Sequence, residues 1–134
     1  MGIAKADTAE HNHPDAVNVV TPVLCALPDP AAGEPRLSGF GNIRVLGGTR
    51  LAEIMGGSQL HERYFCNYEV NPEFRQRFDT AGLVVSALGP SGEIRAVELR
   101  DHPFFLATLF QPQLTSKSSG MAHPVIQALL RAAQ

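Results

Sequence analysis

The stretch that most constrains this chain is Phe104 to Gln113, FFLATLFQPQ, an apolar run that stops at Phe-Gln-Pro-Gln. It reads as a buried strand whose end delivers polar groups to a site. Gln111 and Gln113, standing at that end, are the most consequential residues in the sequence.

A buried strand needs a core around it, and 134 residues suffice for one, so the spacing predicts a single domain over 1–134. A formal net charge of -2 with 18% charged residues gives no basic field, which argues against a nucleic-acid partner. No apolar run approaches the ~20 residues of a membrane span, and the opening MGIAKADTAEHNH lacks the apolar centre of a secretory signal, so a cytoplasmic location with no membrane partner is expected. The MGIAKA start has Ala6 where an N-myristoylation signal needs Ser or Thr. Cys25 and Cys66 show no CxxC spacing and read as reduced thiols, Cys25 packing as a small hydrophobe.

The remaining elements follow from local pattern. Residues 1–16 read as a helix end or loop, and Val17 to Leu27 as an irregular or edge strand demoted by Pro22. The Pro, Gly and Ala of 28–41 mark a long surface loop, and Asn42 to Gly48 a short strand closed by glycines. A helical turn over Arg50 to Met55 precedes a strand over His61 to Val70. Asn71-Pro72-Glu73 then starts a helix reaching Ala81, with Phe74 and Phe78 on one face, solvated Arg75 and Arg77 outside, and Gly82 as its cap. Leu83 to Leu88 and Glu93 to Leu99 flank Gly89-Pro90-Ser91-Gly92 as a β-hairpin. Thr115 to Gly120 reads as a polar loop, and Pro124 to Ala133 as a closing amphipathic helix.

Several words of the sequence, in order, resemble a known family. Glu62-Arg63-Tyr64-Phe65-Cys66-Asn67-Tyr68-Glu69-Val70-Asn71 stands where that family has E-R-H-R-H-R-Y-E-V-N. Ala81-Gly82-Leu83, the Gly92 turn and Val97-Glu98 then follow as in the family. His102-Pro103-Phe104-Phe105-Leu106-Ala107 through Gln113 matches H-P-[WF]-F-V-A-x-Q-F-H-P-E-F, and His123-Pro124-Val125 a late H-P-L. Asp7-Thr8-Ala9-Glu10 is similar to an S-T-E whose glutamate helps hold substrate glutamine. The family is the class I glutamine amidotransferase domain of CTP synthase, of which the chain resembles the carboxy-terminal half. The resemblance implies an α/β, flavodoxin-like sheet with flanking helices and a β-hairpin, truncated at its front. The exposed sheet edge this leaves would be covered by homodimerisation or by a partner protein.

The family's chemistry needs a cysteine nucleophile on a strand-to-helix elbow, a histidine base and an orienting glutamate. The elbow would precede this chain. The resemblance places Gln111 at the histidine and Gln113 at the glutamate, and an amide is no general base near neutral pH, so glutaminase activity is expected to be lost. Asn67 stands where an arginine would grip the substrate carboxylate, and Cys66 where a histidine stood. Tyr68 and Glu69 match retained positions; they line the pocket, or Glu69 pairs with an arginine.

Read this way, Glu10, Asn67, Tyr68, Gln111 and Gln113 are candidate ligand-binding residues for a small molecule, uncharged or zwitterionic. Cys66, Gln111 and Gln113 are the candidates for any replacement chemistry of specialised metabolism, and no cofactor is implied. Gln111 and Gln113 read equally as residues that only close the strand end, and Cys66 as a packed thiol. A non-catalytic interaction or regulatory subunit is the alternative. A metal-dependent enzyme using His11 and His13 with Glu10 comes third, because an HxH pair without a third ligand at a telling distance is a weak signal. His102 and His123, each before a proline, are read as structural.

Overall fold

The computed structural model describes residues 2–24 and 32–134, with the side chains of 117–119 excepted, so Cys25 and the 25–31 part of the predicted strand and loop lie outside the described residues. Two sheets form the frame. The smaller takes the order β1–β2–β5 from β1 (Ala6–Thr8), β2 (Val17–Pro22) and β5 (Tyr68–Val70). β1 pairs with β2 in parallel and lies at the sheet edge, while β2 pairs with β5 antiparallel. The larger has the order β4–β3–β6–β7–β8, built from β3 (Leu37–Val45), β4 (Gln59–Cys66), β6 (Leu83–Leu88), β7 (Ile94–Leu99) and β8 (Leu106–Thr108), with every pairing antiparallel.

Four helices complete the described fold: α1 (Arg50–Met55), α2 (Arg75–Thr80), α3 (Pro112–Ser119) and α4 (Pro124–Ala132). α1 is started by the Thr49 hydroxyl accepting the Ala52 amide and ended by Gly56 at φ 67. Among the described residues no helix is long and apolar enough to cross a membrane.

Burial on β4 alternates with the period of a pleated strand: Glu62 and Tyr64 are buried, while His61, Arg63 and Phe65 face out. Ile43, Val45, Leu51, Tyr64, Phe110 and Val125 belong to the main core cluster, so β3, β4, α1 and α4 all close on Phe110 and its surroundings. Phe78 packs with Leu88 and Ile94 in a second cluster, against the half-buried Phe74 of the same helical face.

Several elements differ from the sequence reading. The 28–41 loop is shorter, because β3 already begins at Leu37; Gly39 and Gly41 disguise a strand that pairs with β4 from Leu37↔Cys66 to Arg44↔Gln59. Residues 1–16 hold β1 and a 3-10 turn over Ala9–His11. The strand over His61 to Val70 is two strands that belong to different sheets, divided at Asn67. The polar loop over Thr115 to Gly120 is helical: Pro112 opens α3, Gly120 closes it at φ 72, and the Ser116 hydroxyl donates back to the Pro112 carbonyl at 2.8 Å. Gln111 and Gln113 consequently sit at the entrance of a helix. β8 has ended at Thr108, and Gln111 occupies the N-cap position without a side-chain cap hydrogen bond.

Candidate functional site

β4 carries the site because its end is held from two directions. On one side it pairs with β3. On the other the Gln111 amide N–H donates to the Arg63 carbonyl at 2.8 Å, which fastens the segment between β8 and α3 along the edge strand. The half-buried Gln111 side chain then reaches β4 itself: its Nε2 donates to the Phe65 carbonyl at 2.9 Å and lies 3.8 Å from Cys66 Sγ. Gln113 Nε2 donates to Gln111 Oε1 at 3.3 Å, and Gln113 is exposed. Cys66, Gln111 and Gln113 therefore form one neutral, hydrogen-bonded group at the strand-to-helix corner.

Cys66 is a free, partly buried thiol that donates to the Leu109 carbonyl at 3.3 Å. The basic side chains nearest in sequence do not serve it. His61 stacks on Phe40 with ring centroids 5.4 Å apart, and Arg63 lies over the same Phe40 ring at 5.9 Å, both on the outer face of β4.

The other sequence candidates are placed elsewhere. Asn67 is the residue at which the chain changes sheets; its Oδ1 accepts the Arg36 amide at 3.0 Å and its carbonyl accepts the Val23 amide at 2.9 Å. Its side chain is thus committed to holding the crossover. Tyr68 is half-buried opposite Pro22 in β5. Glu10 is exposed in the 3-10 turn after β1, where its amide donates to the Thr8 hydroxyl at 3.3 Å. Among the described residues, no hydrogen bond joins Glu10 or Tyr68 to the glutamine pair.

Glu10 is also not the carboxylate that accompanies the histidines. That group is Asp7, whose Oδ1 lies 2.7 Å from His11 Nδ1 and whose Oδ2 lies 2.5 Å from His13 Nδ1. The Thr8 amide, together with His11 and His13, holds the Asp7 carboxyl down at about 2. No local pattern singles out Asp7, because its pairing with His13 depends on a chain reversal at Asn12.

Glu62, Glu69, Arg95 and His123 are buried polar residues that pair with one another. Glu69 accepts Arg95 Nη1 at 2.8 Å and the Leu24 amide at 3.0 Å, so of its two readings the ion pair is realised. The Arg95 guanidinium lies over the Tyr64 ring at 5.5 Å. Glu62 accepts His123 Nε2 at 3.0 Å and the Thr115 hydroxyl at 3.2 Å, while His123 Nδ1 accepts the Val125 amide and caps α4. His102 is likewise engaged in its own turn, accepting the Phe104 amide at 3.2 Å. Nothing in Glu93-Ile94-Arg95-Ala96 marks Arg95 as a buried cation, and its partner Glu69 lies on another strand.

No family model matches the chain. A CTP synthase of Aeropyrum pernix is 40% identical to it over 139 residues, covering 98% of this chain and 25% of that protein. A CTP synthase of Rhodospirillum centenum is 32% identical over 142 residues, covering 98% and 26% respectively. Among solved structures, the glutaminase domain of Trypanosoma brucei CTPS with bound acivicin superposes with a TM-score of 0.79 and 26% identity, over 98% of this chain and 52% of that one. The chain therefore spans about a quarter of the curated relatives it matches and about half of the glutaminase domain. By sequence and by fold alike, it is related to the carboxy-terminal half of the class I glutamine amidotransferase domain of CTP synthase.

Proposed function

We propose that this chain keeps the place of an amidotransferase site without its glutaminase chemistry, and binds a small uncharged or zwitterionic molecule beside Cys66, Gln111 and Gln113. The observation that carries this reading is the contact of the Gln111 side chain with the Phe65 carbonyl, Cys66 and Gln113 together. A histidine in that place would accept a proton; an amide donates and accepts hydrogen bonds but takes up no proton near neutral pH. The corner therefore orients a ligand by hydrogen bonds. The exposed Gln113 side chain gives it a polar group that solvent reaches.

The test has two arms. Purified chain incubated with glutamine is expected to release no ammonia above background, and thermal-shift screening of neutral and zwitterionic metabolites is expected to yield ligands whose shift disappears in Gln113→Ala. Ammonia release abolished by Cys66→Ala would overturn the first arm. Ligand shifts identical in wild type, Gln113→Ala and Cys66→Ala would move the site elsewhere.

A second reading, an interaction or regulatory subunit, is favoured by the placement of β1 at a sheet edge and by Phe40 and Phe65, exposed at 48% and 49% on the outer face of β3 and β4. On this reading a second copy or a partner protein covers the edge. A strict monomer in light scattering at micromolar concentration, together with no partner retained in a pull-down, would count against it.

A further inference from the structure

Residues two apart share one face of an extended segment, so a His-x-His pair needs no special backbone to lie on one side. Here a turn adds a carboxylate to the pair. The Thr8 hydroxyl caps the 3-10 turn Ala9–His11, and Asn12 adopts the left-handed conformation at φ 53 and ψ 38, which Asn tolerates better than most residues. The reversal brings His11 and His13 to the same carboxylate, with ring centroids 5.7 Å apart. Asp7 and the two imidazoles then offer one carboxylate oxygen and two ring nitrogens that all lie within 4.8 Å of one another.

We propose that Asp7, His11 and His13 are the three protein ligands of a divalent transition-metal site of the zinc class, separate from the neutral corner at Gln111. Two imidazoles and one carboxylate are the borderline donors that zinc and its neighbours prefer, and three protein ligands leave a position open for water or a ligand. The anchoring is asymmetric in a way that suits metal entry. Asp7 is fixed within β1, its side chain 18% exposed and its Oδ1 held by the Thr8 amide at 2.8 Å. The His11 and His13 side chains are 58% and 67% exposed, held only through Asp7 and each other. Ligands about 2.0–2.2 Å from a tetrahedral zinc ion sit about 3.3–3.6 Å from one another, further than the present hydrogen-bond contacts to Asp7, so an ion enters by displacing those contacts. Beside them opens a cleft of about 460 Å³, lined by Lys5, Asp7, His13 and Asp15 among others.

The experiment is calorimetric titration of the untagged, chelator-treated chain with ZnCl2, repeated with CoCl2 while recording visible absorption. One equivalent of Zn2+ is expected to bind, with Co2+ giving d–d bands of a site of low coordination number. His11→Gln and His13→Gln, whose side-chain amides still reach Asp7 and preserve the turn, are each expected to weaken Zn2+ binding at least about tenfold. Cys25→Ser/Cys66→Ser is expected to leave it unchanged. The proposal is overturned if wild type takes up no Zn2+ to millimolar concentration, or if the His11→Gln/His13→Gln double variant binds as wild type does. It is equally overturned if binding follows the cysteines. None of these readings depends on a ligand at Gln111, so this site and the proposed function stand or fall separately.

Discussion

The Nε2 of Gln111 stands 2.9 Å from the carbonyl oxygen of Phe65 and donates to it across 46 residues of sequence. A side-chain amide thus ties the entrance of α3 to the end of β4, and it also lies against the Cys66 sulfur. Gln111→Ala removes that tie and leaves the Phe65 carbonyl to water. Urea unfolding is expected to show a loss of about 1 kcal/mol. In a Cys25→Ser background, alkylation of Cys66 is expected to become faster in the same variant. Unchanged stability and labelling rate would mean that the corner is held by the backbone alone.

Glu98 on β7 caps α1 from the neighbouring sheet: its Oε1 accepts the Arg50 amide at 2.8 Å and its Oε2 the Leu51 amide at 3.2 Å. A negative charge at a helix N-terminus, with both oxygens accepting backbone N–H groups, stabilises that end. Glu98→Gln keeps the shape but loses the charge and one acceptor, so a decrease of roughly 1–2 kcal/mol is expected in denaturant unfolding.

These contacts explain which parts of the fold local pattern reveals. The β6–β7 hairpin is written in two β-rich runs around Gly-Pro-Ser-Gly, and α4 in an apolar stripe, because strand and helix periods need only neighbouring residues. α3 has no such stripe; its residues are Pro, Gln, Leu, Thr, Lys and Ser, and its helical state follows from Pro112 at its start and Gly120 at its end. The site divides in the same way. Cys66, Gln111 and Gln113 are named by their place in a motif, and they meet in space. Asp7 and Arg95 acquire their meaning only from partners that a left-handed Asn12 or a sheet crossover at Asn67 brings to them. The crossover also explains why Asn67, a site candidate by position, has its side-chain oxygen occupied by the Arg36 amide.

The Glu69–Arg95 pair is buried on both sides, each side chain 4% exposed. Removing one partner strands the other charge out of water, an imbalance far more costly than the pair is stabilising. Glu69→Ala also deprives the Leu24 amide of its acceptor. Glu93 remains 3.5 Å from Arg95 and offsets part of the loss. A destabilisation of roughly 3 kcal/mol is expected, at the low end of what breaking a buried pair costs. The double variant Glu69→Leu/Arg95→Met is expected to recover most of it, and urea midpoints of the three proteins decide the matter.

Tyr64 is 2% exposed, and its hydroxyl has no hydrogen-bond partner among the described residues. Burial pushes the phenol well above its ordinary value of 10.0, opposed by the Arg95 guanidinium over its ring. The sign of the consequence follows from proton binding. Above pH 10 the unfolded chain has released the Tyr64 proton while the folded chain still holds it, so the unfolded state binds fewer protons and stability falls as pH rises. Below pH 10 both states are protonated and Tyr64 contributes no pH dependence. Tyr64→Phe removes an unpaired buried hydroxyl while keeping the ring under Arg95. It is expected to be neutral to about 1 kcal/mol stabilising at pH 7. The advantage of Tyr64→Phe over wild type should widen between pH 10 and 11.5, read from urea midpoints at each pH. A constant difference across that range would show that the Tyr64 phenol ionises as easily in the folded chain as in the unfolded one.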